Sequence, residues 1–111
     1  MPKKYISMLG MARRAGRLSM GHDTALGSLR DHKAQLIIFA RDISPRLIEE
    51  FTVARDKYYN ELEMLQIDES IDELHKALGY KAGVIAVNDS NFSVRLIELI
   101  KQEENEYGSK D

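Results

Sequence analysis

The amino-acid sequence predicts an α/β domain in which helices pack on both sides of a small sheet. Two apolar runs, residues 34–40 (AQLIIFA) and 83–87 (GVIAV), are rich in β-branched and large side chains, and they predict buried strands. Around them, apolar residues recur at the spacing of amphipathic helices. Helices that alternate with short buried strands are typical of α/β layers, and 111 residues are enough for one core.

The first part of the chain predicts two helices and a short connector. Helical spacing over residues 5–15 is followed by Gly16, a residue type that commonly ends helices. The connector at residues 17–20 (RLSM) is expected to add a brief edge strand. Helical periodicity resumes after Gly21 and ends near residues 31–32.

The second part predicts three more helices and another strand. Pro45 suits the first turn of a third helix. A less regular apolar run at residues 62–67 predicts a strand. Ser70 and Glu73 match a capping box in front of a fourth helix, and a fifth helix follows the strand at 83–87.

The composition predicts one domain in the cytoplasm. We expect residues 1–102 to form that domain, as a monomer, and residues 103–111 to form a frayed polar tail. No apolar run approaches the roughly 20 residues of a membrane span, so no membrane association is expected. The chain has no cysteine, which excludes disulfides and thiolate sites and fits a reducing compartment.

The charge is unevenly distributed along the chain. Residues 1–46 carry nine Lys or Arg against three Asp or Glu, whereas residues 47–111 carry seven against fifteen. Four of the arginines surround a glycine within residues 12–30 (ARRAGRLSMGHDTALGSLR). A basic half indicates a side that faces phosphates, but two solvated faces explain the asymmetry equally well.

The sequence makes no case for an enzyme, a metal site or a cofactor. His22, His32 and His75 are scattered, and no two of them have the i, i+4 spacing of helical metal ligands. Residues 21–27 (GHDTALG) lack the Lys–Ser/Thr pair of a phosphate-binding P-loop. The acids, such as Glu50, fall mainly at predicted helix-surface positions, where we expect them to be solvated rather than catalytic.

Nucleic-acid binding agrees better with the pattern. Gly21, His22 and Asp23 occupy a helix start, where free N–H groups and the helix dipole favour a phosphate. The residues that share the exposed face of this helix or lie just upstream of it are Arg13, Arg14, Arg17, Gly27 and Arg30. The alternative is that Gly21 and Asp23 are ordinary capping residues and the arginines only keep the surface soluble.

Several blocks, by their order and spacing, resemble the L7Ae/L30e/S12e/Gadd45 group of proteins. The blocks are MLGMARRAGRLSMG, KAQLIIFARDISP, DKYYN and DELHKALGYKAGVIAVND, and the resemblance covers roughly residues 3–100. The chain is similar to the small bacterial homologues of ribosomal protein L7Ae. The resemblance implies an L30e-like three-layer α-β-α sandwich with a small mixed four-stranded sheet. It also implies RNA as the partner, since many members bind kink-turns, which are sharply bent RNA helices with tandem G·A pairs.

In this family a G-x-N-E-x-x-K motif at a helix start contacts the kink-turn. Gly21 matches its glycine, whereas Asp23, Thr24 and Gly27 stand where the motif has Asn, Glu and Lys. The resemblance implies that this helix start meets the RNA. The change to Asp23 replaces an amide donor by an acceptor, and the change to Gly27 removes a cation near phosphates. Arg30 is the candidate that replaces this cation.

The family's second RNA-facing element is the loop after the fourth helix, which packs against an extruded base. It falls here on Gly79, Tyr80, Lys81 and Ala82. Tyr80 offers a stacking face and Lys81 a phosphate partner, although packing of Tyr80 against the sheet edge is an equal alternative. Lys33 and Arg41, around the first buried strand, are expected to flank the same surface.

We therefore predict a non-enzymatic protein that docks on a bent or internally looped RNA, in the ribosome or another ribonucleoprotein. The alternative is a protein-interaction module on the same fold, without kink-turn binding, whose contact surface is acidic and includes Glu49, Glu50 and residues 61–73. An accessory subunit of an RNA-processing complex is a third hypothesis.

Overall fold

The computed structural model describes the backbone of residues 3–108 and the side chains of residues 3–104. Within this part, helices and strands alternate almost regularly along the chain. The helices are α1 (Lys4–Arg14), α2 (His22–Arg30), α3 (Pro45–Tyr58), α4 (Ile71–Leu78) and α5 (Ser90–Gly108). The strands are β1 (Leu18–Met20), β2 (Leu36–Phe39), β3 (Met64–Gln66) and β4 (Val84–Val87). None of these helices is long and apolar enough to cross a membrane.

The strands form one mixed sheet in the order β1-β4-β2-β3. β4 is antiparallel to both of its neighbours, whereas β2 and β3 are parallel. Phe39 and Val84 are register partners at the end where β1, β2 and β3 finish and β4 begins, and we call this the upper end. At the opposite, lower end, Leu18 and Leu36 both lie opposite Val87.

Helices cover both faces of this sheet. Leu36 and Ile38 of β2 point into a cluster with α1, α4 and α5, whereas Ile37 and Phe39 point into a cluster with α2 and α3. All four are almost completely buried, which explains why β2 is apolar at every position rather than at every second one. Burial of one such side chain stabilises the fold by about 1.5–3 kcal/mol. This arrangement confirms the three-layer α-β-α sandwich that the sequence predicts.

Capping interactions in the structure explain several of the predicted helix boundaries. The Ser70 Oγ accepts from the Glu73 N–H (3.0 Å), and the Glu73 carboxylate accepts from the Ser70 N–H (2.8 Å), so the capping box of α4 is confirmed. Gly79 ends α4 in the left-handed conformation (φ +79°). The Ser44 Oγ accepts from the Leu47 N–H at the start of α3, directly before the predicted Pro45. The expected edge strand in the connector is β1.

Two boundaries differ from the sequence prediction. β3 contains only Met64–Gln66 rather than residues 62–67, because it has a pairing partner on one side only. α5 continues as far as Gly108, beyond the apolar positions that predict it, while residues 109–111 lie outside the described part and fraying of residues 103–111 stays a prediction. Glu and Gln are good helix formers, and a helix that is already nucleated propagates through them at little cost.

Candidate nucleic-acid interface

The start of α2 lies at the upper end of the sheet. Gly21 joins β1 to α2 with φ +102°, a conformation that glycine adopts without a steric penalty. Its N–H donates to the Val84 carbonyl (2.9 Å), and its carbonyl accepts from the Ala25 N–H (3.0 Å). No side chain in the described part caps α2. The first-turn N–H groups are therefore available to an anion, which the positive end of the helix dipole favours.

The next positions of α2 differ in what they offer to a ligand. The Asp23 side chain is fully exposed apart from its contact with the neighbouring imidazole. The Thr24 hydroxyl donates to the Met20 carbonyl (2.6 Å), so it fastens the helix start to β1. At Gly27, apart from the adjoining residues and the backbone of α2, no atom of the described part lies within 4 Å of the position that a Cβ would occupy. The exposed face of α2 is thus acidic at its start and open at the position where the family motif has lysine.

His22 connects this helix start to α3. Its Nε2 lies 2.9 Å from a Glu50 carboxylate oxygen, and its Nδ1 lies 3.0 Å from the Asp23 carboxylate. The ring packs edge-on against Phe51, with centroids 6.0 Å apart, and 42% of the side chain stays exposed. The hydrogen bond to Glu50 raises the pKa of His22, and Asp23 adds to this effect against an opposing effect of burial.

We expect the charge of His22 to depend on pH in a defined direction. Because the folded state raises its pKa, the stabilisation from the protonated ring is fully present below the unfolded value of about 6.5. It is lost as the pH rises through the higher folded-state value. Titration of the ring by NMR should therefore give a midpoint above that of a histidine peptide, and Glu50→Gln should lower this midpoint. A wild-type midpoint at or below the peptide value would contradict the geometry.

A second exposed element stands beside the start of α2. The loop between α4 and β4 ends at Val84, whose carbonyl binds Gly21. In this loop Lys81 is exposed and Tyr80 is 48% exposed, so about half of the tyrosine is accessible to a ligand. Ala82, in contrast, is 5% exposed, so its methyl group is buried in the protein. Its part in an RNA contact stays a prediction.

Arg13 and Arg14 lie in the last turn of α1, whereas Arg41 follows β2 at the upper end. The Arg13 guanidinium lies 4.0 Å from the position that a Cβ would occupy on Gly79, so it adjoins the loop with Tyr80 and Lys81. The Arg14 guanidinium instead folds back toward α1, 3.5 Å from the corresponding position on Gly10. Arg41 donates to the Asp68 carbonyl (2.6 Å) and contacts two carboxylates of the protein at 3.7 Å.

The remaining predicted cations lie toward the lower end of the sheet. Arg17 precedes β1 and pairs with Asp89 (3.8 Å). Arg30 is the last residue of α2, and Lys33 lies in the turn before β2. Since α2 has nine residues, Arg30 is about 12 Å along the helix axis from its start. The structure therefore does not gather these three cations around Gly21, because the chain crosses the whole sheet between them.

Glu50 takes part in this interface, although the sequence pattern does not indicate it. The pattern predicts a solvated acid on a helix surface, whereas Glu50 makes a hydrogen bond to His22 across 28 positions of the chain. The contact arises from the packing of α3 beside α2, so no local pattern indicates it. The interface thus combines the uncapped start of α2, the His22–Glu50 pair, and the exposed loop with Tyr80 and Lys81, whose first residue Gly79 is adjoined by Arg13.

Comparison with known proteins identifies relatives over nearly the whole chain. The ribosomal protein L7Ae/L30e/S12e/Gadd45 family matches residues 3–97. The RNA-binding protein YlxQ of Enterococcus faecium is 27% identical over 100 residues, which cover 89% of this chain and 93% of that protein. The protein of the same name from Bacillus subtilis is 27% identical over 101 residues, which cover 87% of this chain and 95% of that protein.

Solved structures share the architecture. A Bacillus halodurans protein of unknown function superposes with a TM-score of 0.81 at 25% identity, over 90% of this chain and 99% of that one. The 15.5kD RNA binding protein of Giardia lamblia superposes with a TM-score of 0.69 at 17% identity, over 89% of this chain and 83% of that one. At such low identity the second likeness concerns the fold alone.

Proposed function

The chain belongs to the ribosomal protein L7Ae/L30e/S12e/Gadd45 family, and from this premise we propose that it is a non-enzymatic cytoplasmic protein that binds a sharply bent RNA of the kink-turn type. One observation carries the proposal: the hydrogen bond from the Gly21 N–H to the Val84 carbonyl. It holds the uncapped start of α2 beside the loop that exposes Tyr80 and Lys81. The RNA-binding names of the two curated relatives support RNA as the ligand.

The start of α2 and the loop with Tyr80 and Lys81 contact different parts of the RNA. A phosphate at the start of α2 accepts hydrogen bonds from the free N–H groups of the first turn. Arg13, which adjoins Gly79, and Lys81, two residues further along the loop, supply positive charge for neighbouring phosphates. Tyr80 stacks on one base. Because a base is available for stacking only where the helix is interrupted, this arrangement selects a bent or looped RNA over a regular duplex.

The cations of the lower end have a secondary part in this proposal. Arg30 and Lys33 contact the backbone only where the RNA continues along α2, about 12 Å from the Gly21 turn. Arg17, and Arg41 near the upper end, have a smaller share, since each pairs with carboxylates of the protein itself. We propose that the protein acts as a monomer on a ribonucleoprotein RNA, with the ribosome as the first particle to examine.

Binding to two matched RNAs tests the proposal. One RNA contains the tandem G·A pairs of a kink-turn, and in the other Watson–Crick pairs replace them to give a straight duplex. We expect a gel-shift titration to give at least tenfold tighter binding to the first RNA, because only that RNA presents an unstacked base to Tyr80. Equal affinities would contradict kink-turn recognition, and no binding to either RNA at low salt would contradict RNA binding altogether.

Restoring the missing lysine should increase RNA affinity. No atom obstructs a side chain at Gly27, and glycine in a helix interior is about 1 kcal/mol less favourable than alanine. We expect Gly27→Lys to raise stability slightly and to steepen the dependence of log K on log salt by about 0.9, the value for one phosphate contact. Gly27→Gln is the matched control, with similar helix propensity and no charge. Equal salt dependence in both variants would remove this position from the interface.

A further inference from the structure

A cleft of about 750 Å³ lies along β3, away from the start of α2. Its floor contains Tyr5, Ile67 and Ile100, which are nearly completely buried. Met64 and Leu65 of β3, both partly buried, line it as well. The cleft therefore combines an apolar floor with one full side of a β-strand, and its volume lies within the range of ordinary ligand sites.

β3 is an edge strand with an open side. It pairs only with β2. The Glu63 carbonyl accepts from the Ile37 N–H (3.0 Å), and the Ile67 N–H donates to the Phe39 carbonyl (2.9 Å). Alternate residues of a strand direct their backbone groups to opposite sides. Met64 and Gln66 therefore direct their N–H and carbonyl groups toward the open side, where no strand of the described part lies. Such an edge is a template for another extended chain.

The charges around the cleft favour a cationic occupant. Its two basic residues, Lys3 and Arg41, already lie 3.3–3.7 Å from carboxylates of the protein. Its acids are Asp68, which takes part in these contacts, and Glu103 and Glu104 of α5. Within residues 3–104, no cation lies within 4.0 Å of the Glu103 or Glu104 carboxylate. The surplus charge is negative, so the cleft repels RNA phosphates and attracts Lys or Arg side chains.

We propose that this cleft binds an extended segment of a partner protein, which adds a fifth strand beside β3. Backbone groups of Met64 and Gln66 pair with the segment. Side chains of a strand alternate between its two faces, and Tyr5, Ile100, Glu103 and Glu104 all lie on the α1/α5 side of the sheet. The side chains of the segment that point to this side therefore include both an apolar one over Tyr5 and Ile100 and a Lys or Arg that meets Glu103 and Glu104. β2 separates β3 from β4 by about 10 Å in total, so the segment and a ligand at the Gly21 turn fit at the same time.

A synthetic peptide tests the proposal without the natural partner. The probe is a blocked hexapeptide with threonine at every second position and valine and lysine at the positions between, so that one face carries both valine and lysine. We call it the lysine–valine peptide; it is titrated into the ¹⁵N-labelled full chain and followed by NMR. The first control peptide replaces every lysine by glutamate, and the second carries N-methyl groups that remove alternate backbone donors. The protein control is Glu103→Lys with Glu104→Lys, two side chains on α5 whose replacement leaves the core intact.

The expected result is saturable binding of the lysine–valine peptide that shifts the amide signals of Met64 and Gln66. Binding should weaken at least tenfold with the glutamate peptide, with the N-methylated peptide and with the charge-reversed protein. Absence of saturable binding, or equal affinity for the N-methylated peptide, would overturn the proposal. RNA that shifts the β3 amides would overturn it too, whereas loss of RNA binding at the Gly21 turn would leave the peptide result unchanged, since the two sites are independent.

Discussion

Phe51→Ala should lower the free energy of unfolding by about 3–5 kcal/mol, the range for large-to-small changes at fully buried aromatic positions. Phe51 is 0% exposed and packs edge-on against Phe39 of β2, with ring centroids 5.7 Å apart. Its other neighbour is the His22 ring at the start of α2. Removal of the ring leaves a cavity between α3, the sheet and α2. Since domains of this size are stable by about 5–15 kcal/mol, the loss is a large fraction of the total.

Urea unfolding followed by circular dichroism measures this effect, and α3 itself offers a control. Val53 is two residues away on the same helix and is 61% exposed. We expect Val53→Ala to change the free energy of unfolding by no more than about 0.5 kcal/mol. If the two variants were equally stable, Phe51 would not be the residue that holds α3 against the sheet.

Tyr80→Ala should weaken binding of a kink-turn RNA roughly 5- to 150-fold, equivalent to about 1–3 kcal/mol for one base stacked on an aromatic ring. The side chain is 48% exposed, and Gly79 before it turns the chain out of α4. Because the ring contributes little to the core, thermal stability should stay close to that of the unmodified protein. Tyr80→Phe should keep most of the affinity, since the stacking face remains.

Fluorescence anisotropy with a labelled RNA measures these affinities at one fixed salt concentration. Tyr58→Ala is the matched control, because Tyr58 is also an exposed tyrosine (38%) but lies at the end of α3, outside the proposed interface. We expect this variant to bind like the unmodified protein. An equal loss in Tyr80→Phe and Tyr80→Ala would indicate a role of the hydroxyl group, and no loss in either would remove Tyr80 from the interface.

Local patterns were sufficient to predict most of the fold. The capping box at Ser70 and Glu73 and the stop at Gly79 depend only on residues within a few positions of each other, so the structure reproduces them. Boundaries that depend on pairing or on helix propagation were less predictable. β3 is shorter and α5 is longer than the periodicity indicates, because strand length needs a partner and helix length needs a nucleus.

In the candidate site, too, local features were predictable from the sequence and long-range positions were not. The helix start at Gly21 is visible in the sequence, because a glycine before a helical pattern marks a turn. The separation of the cations was not visible: Arg13 adjoins Gly79, while Arg30 and Lys33 lie toward the other end of the sheet. Distance along the chain does not show which end of a strand a residue occupies until the sheet order is known.

The sequence by itself therefore determined the order of the elements, the two-faced burial of β2 and β4, and the glycine-led start of α2. These features follow from spacing and from residue types that act over one or two turns. Only the tertiary structure decided that Val84, which follows the loop with the exposed Tyr80, binds Gly21, that Glu50 holds His22, and that β3 leaves a cleft along an open edge. These contacts join residues that are distant in the chain, and they exist only because burial of apolar side chains on both faces of the sheet brings the helices and loops together.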